Sequence, residues 1–326
     1  MGEALMFRAG GEGTGGGNYT FTTEIIEASQ QYTVPTGIKD NQIFVRIFGG
    51  GGSGCCRRVE DQFEETYDAK AGGGGGWMNS GFVDVIPGNV IPITIGGGGA
   101  MASGYNSHGA AGGTSSFGTY LSASGGTGAT WRDNDIYAGN GGAGGGAFAP
   151  IYAEMNAYGG IGYQFGGGGA SSWQTAQFGT GGSMGGNGAN GNSRSNKIVT
   201  PAENGINTIS IINESDVYNA DGIGYGIAGG NTNRYNAGGG GGYGANGGYN
   251  CGGGGGYGAA GYGGNGMFND TAGGGGSYGH GGSWSTSSWI MPTYGGGGYG
   301  TCGYRDSTHN SAGASGVCIL QYYKKE

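Results

Sequence analysis

Three histidines (His108, His280, His309) and five cysteines (Cys55, Cys56, Cys251, Cys302, Cys318) are the side chains best suited to serve as bases, nucleophiles or metal ligands. Their spacing supports none of these roles. Each histidine stands alone among Gly, Ser and Asn, which reads as a surface or hydrogen-bonding position. The cysteines form an odd set with one adjacent pair and no zinc-type spacing. Reduced thiols made in a cytosol, packing where alanine would, are expected rather than a disulfide framework. The acids between Glu60 and Asp68 lack the spacing of a cation loop. No Gly-Lys-Ser/Thr phosphate loop occurs, and Gly-x-Gly-x-x-Gly matches arise by chance at this composition. The expectation is a protein that is not an enzyme and uses no cofactor or metal.

The chemistry left over is recognition. The chain carries 22 Tyr, 11 Phe and 5 Trp, although only 10% of its residues are charged. Flat, rigid rings give large contact area at little entropy cost, which suits sugars and protein loops. The net charge of −8 argues against nucleic acid or an anionic membrane surface as the main partner. No stretch reaches the roughly 20 apolar residues of a membrane span. The N-terminus lacks the basic and apolar regions of a secretory signal, so no signal peptide is expected.

The rings must be held by a chain in which 91 of 326 residues are glycine. Collagen is excluded by six prolines and by a Gly-X-Y register that never lasts beyond about five triplets. Disorder is disfavoured by the low charge and the many aromatics. Glycine instead recurs in threes, at Gly238, Gly241, Gly244 and Gly247, and at Gly252, Gly255, Gly258, Gly261 and Gly264. Further rows run through Gly273, Gly276, Gly279 and Gly282, through Gly139, Gly142 and Gly145, through Gly179 to Gly191, and through Gly297, Gly300 and Gly303. A three-residue repeat with one bare face suits a left-handed helix of the polyproline II shape. Several such helices, folded back and forth, can cohere only if nearly every N–H and C=O finds a neighbour.

Four regions follow. Residues 1–17 are a Gly-rich arm, either frayed or an attachment segment. Residues 18–126 form a β-rich cap: Tyr19–Ile26, Gln31–Pro35 and Ile43–Phe48 read as strands, and residues 81–95 as a hairpin turning at Pro87–Asn89. Phe82, Val83, Val85, Ile86, Val90, Ile91, Ile93 and Ile95 are its core candidates. One more strand is expected within 112–126. The charged stretch 55–70 reads as a solvated loop or short helix. Residues 127–311 form an array of polyglycine II helices with aromatic loops, including an inserted strand at 206–213. Residues 312–326 supply a strand that returns to close the cap. The fold class is thus mainly irregular and all-β, a glycine sandwich with a small β-sandwich cap.

The run Val45–Gly54, the Gly72–Trp77 run, the segment Gly81–Gly99, the Gly-Gly-Thr-Ser-Ser-Phe-Gly stretch at 112–118 and the ending Gly313–Tyr322 resemble the glycine-rich domain of bacteriophage tail-fibre and tail-tip proteins. The interrupted glycine rows are similar to the polyglycine II sandwich of tail-fibre adhesins. The resemblance implies a virion tail protein (tail fibre, fibre-tip adhesin or baseplate-associated) made in the host cytoplasm. Its partners would be a host cell-surface receptor (glycan or outer surface protein), other virion tail proteins and further copies of itself, such as a trimer. It also implies receptor-contacting loops where the helices turn.

If each glycine row is a helix and each gap a reversal, the gaps 146–178, 248–251 and 283–296 share one end. That end would hold Phe148, Tyr152, Tyr158, Trp173, Phe178, Trp284, Trp289 and Tyr294, the expected receptor-binding set. The alternation assumes that residues 192–237 add no extra helix. The tyrosines that follow glycine runs (Tyr243, Tyr257, Tyr278, Tyr299) read instead as structural rings laid over bare backbone. The alternatives to an adhesin are a purely structural virion protein or a bacterial surface protein.

Overall fold

The computed structural model describes residues 18–60, 66–133, 135–150, 155–172, 176–177, 190–192, 197–200, 252–257, 263, 273–276, 278–285, 288–298, 300 and 311–326. In chain order the strands are β1 (Tyr19–Ile26), β2 (Gln30–Thr33), β3 (Gln42–Phe48), β4 (Cys55–Glu60), β5 (Thr66–Ala71), β6 (Met78–Asp84), β7 (Val90–Thr94), β8 (Ser115–Phe117) and β9 (Leu121–Ala123). They continue with β10 (Thr130–Arg132), β11 (Asp135–Tyr137), β12 (Ala147–Phe148), β13 (Asn156–Tyr158), β14 (Ala170–Ser172), β15 (Ala176–Gln177), β16 (Asn190–Asn192) and β17 (Lys197–Thr200). Further on come β18 (Ser283–Ser285), β19 (Ser288–Ile290) and β20 (Val317–Lys325). The chain is mainly β, as expected, and no α-helix occurs among the described residues. The arm 1–17 and the segment 206–213 lie outside them.

Two four-stranded sheets, β1-β20-β3-β6 and β2-β7-β8-β9, form the sandwich. Alternation decides which face is wet. In β3, Ile43, Val45 and Ile47 turn inward, and from β20 come Cys318, Leu320 and Tyr322. They meet Tyr32, Ile91, Ile93, Phe117 and Ala123 of the opposite sheet. Each fully buried aliphatic side chain is worth about 1.5–3 kcal/mol. The returning C-terminal strand lies between β1 and β3, antiparallel to both, as its apolar run predicts.

The expected 81–95 hairpin does not form. β6 pairs with β3, whereas β7 pairs with β2 and β8 in the other sheet. The turn at Pro87–Asn89, where Gly88 has φ 83°, carries the chain across the sandwich. Each strand finds a better partner than its neighbour, so the turn becomes a corner. Of the core candidates, Val83, Val85, Ile91 and Ile93 are buried and Ile95 is partly buried, while Phe82, Ile86 and Val90 are exposed. The expected strand within 112–126 is a pair, β8 and β9.

Beside the sandwich lie the glycine segments. Along Gly72–Trp77 the six amides donate in turn to Gly146, Gly298, Thr127, Ala143, Gly295 and Ser124. The acceptors rotate with a period of three among residues 143–146, 295–298 and 124–127. The carbonyls of Gly72 and Gly75 accept from Gly139 and Gly142, that of Gly73 from Gly275, and that of Gly74 from Gly52. Six segments therefore surround this one.

Gly49–Gly54 repeats the scheme, donating in turn to Trp77, Gly113, Ala314, Gly74, Ala110 and Ser311. Only glycine permits such an approach: a Cβ at Gly73 would overlap the carbonyl of Gly52, and one at Gly52 that of Thr127. The expected boundary at 126/127 runs through this packing, because glycines on both sides of it pair with one another.

The row Gly139, Gly142, Gly145 is not one helix. Gly139 and Gly142 donate to Gly72 and Gly75, whereas Gly72 and Gly75 donate to Gly146 and Ala143. The chain therefore reverses at 142–143, and both short legs lie against the same glycine run.

Two further sheets hold this region. β11, β13 and β15 run parallel in β10-β11-β13-β15, and β12, β14 and β16 run parallel in β17-β16-β14-β12-β5-β4. The chain visits them alternately, as a coil. Its interior is mostly alanine, with Ala69, Ala71, Ala147, Ala157 and Ala170 around Ile136 and Met155. Within the stretch 55–70, expected as a loop or short helix, residues 55–60 and 66–70 lie in the antiparallel pair β4–β5, whose Cys55 end is buried against this interior.

Candidate functional site

The described members of the expected receptor-binding set lie on different elements. Phe148, in β12 opposite Lys70 of β5, is only 4% exposed and cannot present its ring to a partner. Tyr158, in β13, stacks on Tyr137 of β11 at 4.6 Å because parallel pairing puts the two residues in register. Asp135 accepts from the Tyr137 hydroxyl and from the Asn156 amide, both at 2.7 Å, and this carboxylate pushes the Tyr137 hydroxyl up to about 12.

Trp284 and Trp289 occupy directly opposite positions in the β18–β19 pair. Tyr294, 36% exposed with φ 36°, donates its hydroxyl to Glu27 and packs against Tyr278. Tyr152, Trp173 and Phe178 lie outside the described residues. Of the eight, the two tryptophans are therefore placed side by side, and Phe148 is withdrawn into the interior.

Two tyrosines that follow glycine runs pack against aromatic side chains beside the sandwich. Tyr278 packs on Phe48 at 5.0 Å, and Tyr257 lies 6.1 Å from Phe48 and 6.3 Å from Phe165. The Arg46 guanidinium sits 5.3 Å from the Tyr257 ring centre. Tyr243 and Tyr299 lie outside the described residues.

A second aromatic cluster went unread in the sequence. Successive strand residues face opposite ways, so Arg57 and Arg58 of β4 serve different partners. Arg57 stacks on Trp131 of β10 at 4.1 Å, and His108 stacks on the same indole at 4.9 Å. Arg58 lies 3.6 Å over the Tyr105 ring and pairs with Asp68 of β5 at 2.9 Å. The loop carrying Tyr105 and His108 is tied to β4 twice: Asn106 donates from its backbone to Cys56 and accepts the Arg58 amide.

Arg57 Nε and Trp131 Nε1 are buried without an acceptor among the described residues. Guanidinium and indole N–H groups beside flat rings suit oxygen-rich groups such as sugar hydroxyls and carboxylates. The signal available was the alternation in Cys-Cys-Arg-Arg-Val-Glu, which marks a strand. Nothing local points to Trp131.

The described thiols are poor nucleophiles. Burial pushes Cys55 and Cys318 up to about 12, so both stay protonated at neutral pH. Cys56 is disulfide-bonded, contrary to the expectation of reduced thiols throughout. His108 accepts from the Trp131 backbone, and His280 pairs with the neighbouring carbonyl of Gly281; His309 lies outside the described residues. No group of three or more metal-ligating side chains occurs among the described residues. No helix of the described residues is long and apolar enough to cross a membrane. No protein-family model matches the chain, and no curated protein matches it.

Proposed function

We propose that this chain is a bacteriophage virion tail protein (a tail fibre, fibre-tip adhesin or baseplate-associated protein) that binds the host cell surface through aromatic loops carried on packed polyglycine II helices. It acts by binding, without catalysis or a cofactor, and resides in the phage tail beside other virion proteins. The observation that carries the reading is the rotation of amide donors around Gly49–Gly54 and Gly72–Trp77 with a period of three. A helix with three residues per turn aims successive N–H groups a third of a turn apart, so each addresses a different neighbour. Such a scaffold offers little side-chain chemistry of its own, and recognition falls to the loops between its legs. The opposed register of Trp284 and Trp289 and the exposure of Tyr294 support that reading.

The burial of Phe148 and the covering rings of Tyr257 and Tyr278 favour a second reading, a purely structural virion protein in which aromatics seal glycine backbone. Deleting residues 284–294 separates the two. An adhesin loses host adsorption by about tenfold or more while particles assemble normally. A structural component fails to assemble.

A further inference from the structure

We infer that Arg57, Trp131 and His108 form a binding site for a carboxylated sugar, where β4 and β10 meet at one end of the coil. The site lies on elements other than β18 and β19, and it holds whether or not the chain is a tail protein.

Register explains how the residues come together. Arg57 stands opposite Ala69 in the β4–β5 pair, and Trp131 stands opposite Ile136 in the β10–β11 pair. Ala69 and Ile136 are wholly buried in the alanine-rich interior. Directly opposed residues share a face, so Arg57 and Trp131 turn toward that interior from two different sheets. β4 and β10 are the last strands of those sheets among the described residues.

Charge argues for an anion. The two strands carry three arginines. Arg58 pairs with Asp68 at 2.9 Å, and Arg132 with Asp133 at 3.7 Å. Arg57 has no carboxylate or other acceptor among the described residues, and its Nε is buried. Holding a guanidinium partly out of water without a counter-charge is costly, and the Trp131 face at 4.1 Å offsets only part of that. Arg57 as a whole is only partly buried, so its terminal nitrogens are left to be met from outside. Their forked geometry fits a carboxylate.

The rings argue for a sugar. His108 is exposed, and its Nδ1 accepts from the Trp131 amide at 3.4 Å. In the neutral ring the proton therefore sits on Nε2, which is a donor for a hydroxyl. Tyr105, 38% exposed and stacked with Arg58, extends the rim. A sugar acid brings a flat C–H face for rings, hydroxyls for His108 and a carboxylate for Arg57. The loop is set in advance: Ser107 bridges to Cys56, and the hydroxyls of Ser103 and Ser107 lie 3.0 Å apart. Little ordering is then needed on binding.

Saturation-transfer NMR and calorimetry on the full chain, with glucuronate as the probe, test this. Glucuronate binds in the millimolar range and shifts the Trp131 indole N–H resonance. Glucose lacks the charge, whereas acetate and inorganic phosphate lack the C–H face, and each binds about tenfold more weakly or worse. Arg57→Lys keeps the charge and loses the fork, so glucuronate affinity falls about tenfold with circular dichroism and melting unchanged. Arg132→Gln, at an arginine already paired, leaves affinity as in the parent chain. Should Arg57→Lys misfold, the ranking of the four probes on the parent chain decides by itself. Three results overturn the inference: no transfer from glucuronate at about 20 mM, equal binding of any other probe, or affinity that survives Arg57→Lys.

Discussion

The sandwich core and the glycine runs Gly49–Gly54 and Gly72–Gly76 are both buried and are held by opposite means. In the sandwich, Ile43, Val45, Phe117 and Leu320 are wholly buried, and cohesion comes from apolar surface withdrawn from water. Around Gly49–Gly54 and Gly72–Trp77 almost no side chain is present to bury, and each amide donates to a backbone carbonyl of another segment. The first kind of cohesion is non-directional and gives way gradually. The second is directional, because bare backbones touch, and a single added carbon has nowhere to go. Compactness by itself therefore says little about how a region tolerates change.

The sharpest break in this contrast is Gly73→Ala. Its Cβ would overlap the Gly52 carbonyl within the packing, so the expected loss is about 3 kcal/mol or more, read from denaturant unfolding. Next comes Val45→Ala in the sandwich, where the lost transfer energy and residual cavity cost about 2–3 kcal/mol. If Gly73→Ala costs less than Val45→Ala, the glycine segments are looser than their hydrogen bonds imply.

A smaller effect, absent at neutral pH, comes from the titrating groups. Cys318 and Tyr322 in the sandwich and Cys55 in the coil are pushed up to about 12 chiefly by burial, and Tyr137 as far by its bond to Asp135. The unfolded chain releases these protons first, near the ordinary values of 9 for cysteine and 10 for tyrosine. Stability is thus full below pH 9 and falls as pH rises toward about 12, seen as a declining melting temperature. The smallest effect is expected at Gly97, where a Cβ meets nothing within 4 Å. Gly97→Ala should be neutral or stabilise by about 0.5 kcal/mol. Its pairing with Gly73→Ala shows that crowding, and not glycine content, decides the cost.

Much of this architecture can be read along the chain. β-branched alternation marks β1, β3 and β20, and the apolar run at 317–322 finds its place between the other two. The period of three appears in the hydrogen bonds around the unbroken run Gly72–Gly76, whereas the three-residue row Gly139, Gly142, Gly145 reverses midway. What alternation does not specify is the partner. Residues 78–84 and 90–94 alternate equally well as a hairpin or as strands of two sheets, and pairing with β3 and β2 decides. The coil of β11 to β16 escaped because strands of two or three residues carry no period of their own. The Arg57–Trp131–His108 stack escaped because its members lie far apart in sequence and meet only through the coil.

Composition and spacing alone determined that backbone would have to do the work of side chains here, because a bare row every third residue leaves nothing else to pack. Which glycine run meets which was decided only by the folded arrangement. One Gly-Gly pair attracts as well as another, and choice among them falls to the sandwich strands and coil that set where each run begins.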